Sequence, residues 1–432
     1  MSYLKQSAST LGTQILLMIT GLATGVIVAR VLGPELKGQA ALLGNLTEIL
    51  FMCASFGLGS AFSFFTAKKR YPFKQIMTFA LVAALLLGAL VNGLFYLSWP
   101  LHSSMWQGVP FKLVFFSTVL AVIYLYSNYL LRIVVGHGKI YSMNIAYAVR
   151  TLTNFILVLI LVFVLRLGLQ GVVFALCLAV LFQTAVLAVM LKRDILPVLF
   201  WDTTFFRATL AYGIKAHALL IINFLNYRLD IFLLQYLTSD STTVGYYSLA
   251  VGMAELIWLV PNSVVAPLFS GVAISDAVDR SVITLRTCRW SLIFLVILAI
   301  FGVFLGRPFI GYLYGAEYLP AFSPFLWLLP GICLFPLFKL LVIDLAARGF
   351  PGYGTIASAI ALLVNIGANI ILIPLYGGKG AAMATSLSYI LMSCISVVFF
   401  TRITGHSFKE ILLFDKDEID YIRNVISAKL KM

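Results

Sequence analysis

Seven ionisable side chains stand inside long apolar runs, Glu48, Arg150, Lys215, Arg228, Asp230, Glu255 and Lys339, and Asp344 lies near the end of another. A charge in such a setting must meet a partner or a water-filled cavity, because at the centre of a bilayer it costs about 2.5 to 3.5 kcal/mol on insertion scales. Clustered cations suit an anionic ligand. The carboxylates either neutralise those cations or carry a coupling proton or sodium ion. One run, "LAYGIKAHALLIINFLNYRLDIFLLQYL" (210–237), holds several of these groups at once. At 100° per residue, Lys215, Asn223, Asn226 and Asp230 fall within about 80° of one another, with His217 and Arg228 on another side. Asn223 and Asn226 are too short to reach an interface and so need partners or water. Asn45, Glu48 and Ser55 form a second polar stripe, Ser248, Gly252, Glu255 and Asn262 a third, and Ser358, Asn365 and Asn369 a fourth.

The elements that must position these groups are membrane helices. Of 432 residues 62% are apolar and 11% charged, which no soluble core could hide. Runs of about 20 apolar residues recur, the length that crosses about 30 Å of hydrocarbon. Twelve helices are expected, at 9–29, 40–62, 76–98, 111–131, 142–164, 169–190, 208–235, 244–267, 290–310, 319–341, 353–374 and 381–400. The first is read as a retained span, since it runs past signal-peptide length without a cleavage pattern. The N-terminus, the loops after even-numbered helices and the tail hold most of the Lys and Arg, among them Lys68, Lys69, Arg70, Lys192 and Arg193. The positive-inside rule therefore places both termini in the cytoplasm. In the tail, Ile419, Ile422, Val425 and Ile426 recur at helical spacing and describe an amphipathic cytoplasmic helix.

The chain also repeats itself. Gly38 to Glu48 in "GQAALLGNLTE" and Gly245 to Glu255 in "GYYSLAVGMAE" share one separation at an offset of 207 residues, and Gly168 with Gly171 answers Gly377 with Gly380. Six helices repeated give two parallel lobes, 1–191 and 208–401, joined by a charged linker, 192–207, and followed by a tail, 402–432. The expected fold is an all-α polytopic membrane protein of two six-helix lobes around a central cavity, the architecture of a transporter working by alternating access. Pro261 and Pro267, and Pro324, Pro330 and Pro336, are candidate bends.

Other classes are excluded. The net charge of +14 is scattered among loops, which speaks against a nucleic-acid partner. The five cysteines and four histidines lack metal-ligand spacing, and no phosphate-cradling loop or serine elbow is present. No enzyme activity, metal or cofactor is expected beyond H+ or Na+ coupling.

The segments "ARVLGPELKGQAAL" (29–42), "YGIKAHALLIINFLNYRLDIFLL" (212–234), "VGYYSLAVGMAELIWLVPNSVVAPLF" (244–269), "YGAEYLPAFSPFLWLLPGI" (314–332) and "IPLYGGKGAAMATSLSYI" (373–390) resemble the Wzx-type polysaccharide flippases of the MOP superfamily, which also contains lipid II flippases and MATE drug exporters. The resemblance covers nearly the whole chain. It implies a multi-pass protein of a bacterial or archaeal plasma (inner) membrane that moves an undecaprenyl-pyrophosphate-linked oligosaccharide, or a related glycan precursor, from the inner to the outer leaflet. Membrane lipids and glycan polymerases or other assembly proteins are the implied partners. Basic groups would hold the pyrophosphate, with Lys215, Arg228, Asn223, Asn226, Arg150, Lys339 and Arg30 as substrate-binding candidates, and Arg30 with Lys37 near the outer gate. Glu48, Glu255 and Asp230 are the ion-coupling or gating candidates. A MATE-like H+ or Na+ coupled exporter shares the fold but would present a mainly acidic or aromatic cavity. A non-transporting scaffold for glycan assembly predicts that removing the buried charges leaves glycan assembly unchanged.

Overall fold

The computed structural model describes residues 3–191, 203–258 and 277–413, with side chains for 12–191, 203–214, 217–258 and 281–413. The linker residues 192–202, the prolines at 261 and 267 with Asn262, the Lys215 side chain and the tail helix beyond 413 lie outside the described residues. Within them the chain is almost wholly helical: α1 Tyr3–Ser55, α2 Leu58–Lys68, α3 Phe73–Leu97, α4 Trp99–His102, α5 Phe111–Gly136, α6 Ile140–Val158, α7 Gly168–Met190, α8 Thr203–Thr238, α9 Ser241–Leu256, α10 Ala277–Leu313, α11 Phe322–Ala347, α12 Gly352–Tyr376, α13 Gly378–Thr404 and α14 Phe408–Leu412. Ten stretches among the described residues are long and apolar enough to cross a membrane. One of them, Gly12–Ser55, holds two of the expected spans. The expected helix 244–267 begins as α9, Ser241–Leu256, and its second half falls outside the described residues.

The chain divides into two compact units. The first comprises Met1–Ser248, Phe309–Pro320 and Ile373–Gly378; the second comprises Leu249–Pro308, Ala321–Leu372 and Lys379–Met432.

In the first unit, α1 folds back on itself at Gly33, whose φ of 72° leaves the helical region, and Pro34 follows inside the next helical segment. Glycine takes the positive φ without a Cβ penalty, and proline opens the following helix with a preset φ, so "LGPE" writes a tight helix–helix corner. A second interruption corrects the expected continuous helix 40–62. The helix stops at Ser55 and restarts at Leu58 across Phe56 (φ 44°) and Gly57 (φ 65°). The break is sealed by side chains. The buried Tyr129 hydroxyl donates to the Ser55 carbonyl at 3.0 Å, and the His217 ring stacks on Phe56 with centroids 6.0 Å apart. A methyl on Gly57 would overlap the backbone of Gly213 in α8, so only a glycine allows this approach. Around the break, Phe62, Phe65, Leu125, Tyr129 and Phe205 are buried in one apolar cluster.

In the second unit, α11 contains Pro330 and Pro336. Pro336 has no N–H to offer the carbonyl four residues earlier, that of Ile332. The Trp258 indole N–H donates to that oxygen at 3.0 Å. Beside Pro330, the Ser386 hydroxyl of α13 donates to the Trp327 carbonyl and accepts from the Gly331 N–H at 3.2 Å, entering the hydrogen-bond ladder of α11. Such an insertion accompanies a bend, and Gly331 leaves room for it, since a Cβ there would lie 2.5 Å from the Ser386 Cα. Asp344, fully buried near the end of α11, accepts from the Thr284 hydroxyl at 2.5 Å and pairs with Arg348, which also donates to the Ser281 hydroxyl at 3.1 Å.

Tyr129→Phe deletes one donor while keeping the ring and is expected to lower stability by about 1 kcal/mol, the worth of a buried hydrogen bond in a membrane helix bundle. Trp258→Phe deletes its donor together with part of the aromatic surface, so its expected loss is larger. Reversible denaturant titration in mixed micelles measures this, with unchanged midpoints in both variants counting against these capping roles.

Candidate functional site

The charged residues at membrane depth separate by what they touch. In the first unit, α6 carries Arg150, whose guanidinium lies over the Tyr124 ring of α5 at 4.5 Å from the centroid. Tyr124 in turn packs on Phe51, with centroids 4.7 Å apart, and Tyr147, one turn before Arg150, feels the charge of both Arg132 and Arg150. Stacking occupies a face of the guanidinium and leaves its in-plane N–H fork free. Among the described residues no hydrogen-bond acceptor or carboxylate meets that fork. Arg150 lies ten residues into the candidate span Ile140–Val164, partly buried. Among the described residues it is a cation with a preset direction and no partner anion.

Glu48 is its counterpart in sign. It is partly buried and makes no hydrogen bond or ion pair among the described residues. Its stripe neighbours are already committed: Asn45 donates to the Ala41 carbonyl at 2.7 Å, and Ser55 donates to the Met52 carbonyl at 3.1 Å, 3.5 Å from His217 Nδ1.

On α8 the expected stripe resolves into fixed and partly accessible members. Asn226 is fully buried and donates to the Ile222 carbonyl at 3.0 Å. Asp230, also buried, accepts from the Ile231 N–H at 2.8 Å and from the Tyr247 hydroxyl of α9. The carboxylate is thus tied to the first turns of α9 across the Ser239 bend. Asn223 and Arg228 are partly buried. Arg30, read from the sequence as a substrate ligand, is exposed, and its guanidinium donates to the carbonyls of Leu313, at 2.7 Å, and Tyr312.

In the second unit, Lys339 of α11 has its ammonium 4.5 Å from the Trp258 ring centroid and 5.1 Å from that of Phe335. Tyr389 completes the aromatic group, 4.6 Å from Phe335 and 5.5 Å from Trp258. Glu255, one turn before Trp258, is the acid that acts electrostatically on Lys339. The same tryptophan therefore caps the α11 bend and shelters the lysine. Sequence periodicity missed Trp258, Tyr124 and Tyr247 as partners of these charges. Trp258 sits one turn from Glu255, which was the available signal for it.

In the second unit, α12 buries Asn365 and Asn369 completely, and Asn369 donates to the Asn365 side-chain oxygen at 3.0 Å. Among the described residues, Asn365 Nδ2 and Asn369 Oδ1 meet no hydrogen-bond partner. No cluster of three metal-ligating side chains occurs among the described residues.

The fold has counterparts among solved structures. An inward-facing multidrug resistance MATE family transporter of the MOP superfamily matches with a TM-score of 0.75 at 16% identity, over 92% of this chain and 98% of its own. Lipid II flippase MurJ in an inward closed conformation matches at 0.74 and 18% identity, over 94% and 89%. An outward-facing MATE transporter of the MOP superfamily matches at 0.64 and 16% identity, over 93% and 95%. No curated protein sequence matches the chain. The family model described as polysaccharide biosynthesis protein matches residues 3–274. The resemblance is borne out at the level of family and fold: the chain has the helical membrane fold shared by the MATE transporters and MurJ, and it belongs to the polysaccharide biosynthesis protein family.

Proposed function

We propose that the protein is a secondary transporter that flips a polyprenyl-pyrophosphate-linked oligosaccharide, or a related cell-surface glycan precursor, from the inner to the outer leaflet of a bacterial or archaeal plasma membrane. Alternating access moves the lobes 1–191 and 208–401, and a proton or sodium ion drives the cycle. The observation that carries this reading is Arg150, stacked on Tyr124 with its N–H fork unmet within a membrane span. A guanidinium matches phosphate oxygens two at a time, and a pyrophosphate supplies the missing anion. Membership of a polysaccharide biosynthesis family supports a glycan as the attached cargo. Lys215 and Arg228 of α8 assist in holding the anionic headgroup, while the lipid tail stays in the bilayer. Lys339 plays a different part, since its ammonium already faces two rings and Glu255. In this reading Glu255 and Glu48 are the coupling carboxylates, and Asp230, tied to Tyr247, holds the α8–α9 corner.

Outward movement of a polyprenyl-pyrophosphate oligosaccharide in reconstituted vesicles tests the headgroup site. Arg150→Gln is expected to lower the rate about tenfold to a hundredfold, the worth of one charge-assisted contact of about 1.5 to 3 kcal/mol. Arg150→Lys, which keeps the charge but loses the fork and the stack, should fall between. Undiminished transport in Arg150→Gln, Lys215→Gln and Arg228→Gln together, at equal membrane expression, would overturn the assignment.

Coupling has its own readout. Glu48→Gln and Glu255→Gln are expected to flatten or displace the dependence of transport on pH or on sodium. A profile identical to that of the unaltered protein in both would place coupling elsewhere.

A further inference from the structure

The glycines that open the two repeated stretches meet in the first unit. A Cβ built on Gly38 would overlap the Ser241 carbonyl oxygen and lie 2.8 Å from the Gly245 nitrogen. A Cβ built on Gly245 would overlap the Pro34 carbonyl oxygen and lie 3.2 Å from the Gly38 nitrogen. The contact is reciprocal, each glycine resting on the carbonyl four residues before the other. Pro34 and Ser241 are separated by the same 207 residues as Gly38 and Gly245. "PELKG" and "STTVG" thus form one small-xxx-small crossing about a local pseudo-twofold axis, with backbones too close for any side chain.

Two further contacts join the same end in the same reciprocal sense. Arg30 donates to the carbonyls of Tyr312 and Leu313, the last two residues of α10, where a helix leaves its oxygens unpaired and favours a cation. The buried Tyr318 hydroxyl returns a hydrogen bond of 3.0 Å to the Ala29 carbonyl, in the last turn before Gly33. Tyr318 also meets Tyr246 edge to face at 6.2 Å, and Gly377 approaches Thr243.

We propose that Gly38, Gly245, Arg30 and Tyr318 form a latch that closes this end of the transport path, the end that loop charges assign to the outer face. Its parts come from both halves of the sequence, so the path opens here only when all of them part. This rests on the transporter reading, and it gives Arg30 a gating role in place of ligand binding. A Cβ at either glycine cannot fit the latched state, so it shifts the population toward the state open at this end. Deleting the Tyr318 hydroxyl or neutralising Arg30 weakens the latch without blocking it.

The test uses Asn45→Cys, seven residues inside Gly38 on the same face of α1, in the full-length protein with its five native cysteines replaced. Labelling by a membrane-impermeant maleimide is followed from each side of reconstituted vesicles. Gly38→Ala and Gly245→Ala are expected to raise labelling from the Arg30 side at least about tenfold, a shift of about 1.4 kcal/mol, and Tyr318→Phe and Arg30→Gln by a few-fold. Gly44→Ala is the control, because nothing lies within 4 Å of its Cβ position. If the glycine variants do not insert, Tyr318→Phe and Arg30→Gln carry the test alone. Labelling equal to the Gly44→Ala control in every correctly inserted variant would overturn the latch. The readout needs no glycan, so a protein that gates as expected but moves no lipid-linked oligosaccharide would sink the substrate reading and leave the latch standing.

Discussion

Inside hydrocarbon a backbone N–H or C=O has no water to turn to, and every bend in a membrane helix must find its hydrogen bonds within the protein. The remaining features of this structure follow from that demand. The break at Phe56 and Gly57 is tolerated because Tyr129 reaches the Ser55 carbonyl. Pro336 is tolerated inside α11 because Trp258 reaches the Ile332 carbonyl, and the ladder near Pro330 admits the Ser386 hydroxyl. In each case a side chain from another helix fixes where the irregularity sits. The helices therefore bend at chosen points and are pinned there, which positions the charged residues between those points.

The same scarcity of partners sorts the charges. Asp344 is answered by Arg348 and Thr284, Asp230 by Tyr247, and Lys339 by two aromatic faces and Glu255. Removing one partner of such a group would leave an uncompensated charge, so these residues are bound up with folding as much as with transport. Arg150 and Glu48 stand apart, the first holding only aromatic contact and the second no hydrogen bond or ion pair among the described residues. A guanidinium that no acceptor meets among the described residues bears its desolvation in the membrane. In the proposed function an anionic cargo offsets that cost once bound.

Much of this was legible in the residues. Apolar run lengths marked the spans, and the depth of the charges marked the polar stripes. The shared separation of Gly38–Glu48 and Gly245–Glu255 read as a repeat; that Gly38 and Gly245 also meet each other is seen only in the folded chain. The break in "SFGLGS" was not legible, because Phe56 and Gly57 differ little from their neighbours in hydropathy, and its closure depends on Tyr129, more than seventy residues away. Partner choice was hidden for the same reason. Periodicity says which residues share a helix face, but the helix that meets that face is decided by tertiary packing. Arg30 illustrates this: nothing in its sequence surroundings showed that its guanidinium would donate to the carbonyl end of α10.

That substitution of carbonyls for a carboxylate has a physical consequence for the closed end. A seal made of a buried ion pair would be strong, and separating it would expose two charges to a low-dielectric surround. The proposed seal combines backbone approach at Gly38 and Gly245, of the kind worth about 0.5 to 1 kcal/mol for each Cα–H···O contact, with hydrogen bonds to neutral oxygens. Each element yields at small cost, and water replaces it readily when the end opens. The glycines add geometric selectivity, since no slipped register brings both backbones so close. In the proposed cycle closure draws on backbone approach and hydrogen bonds to neutral oxygens, and cargo binding on the Arg150 guanidinium, so that one changes state without weakening the other.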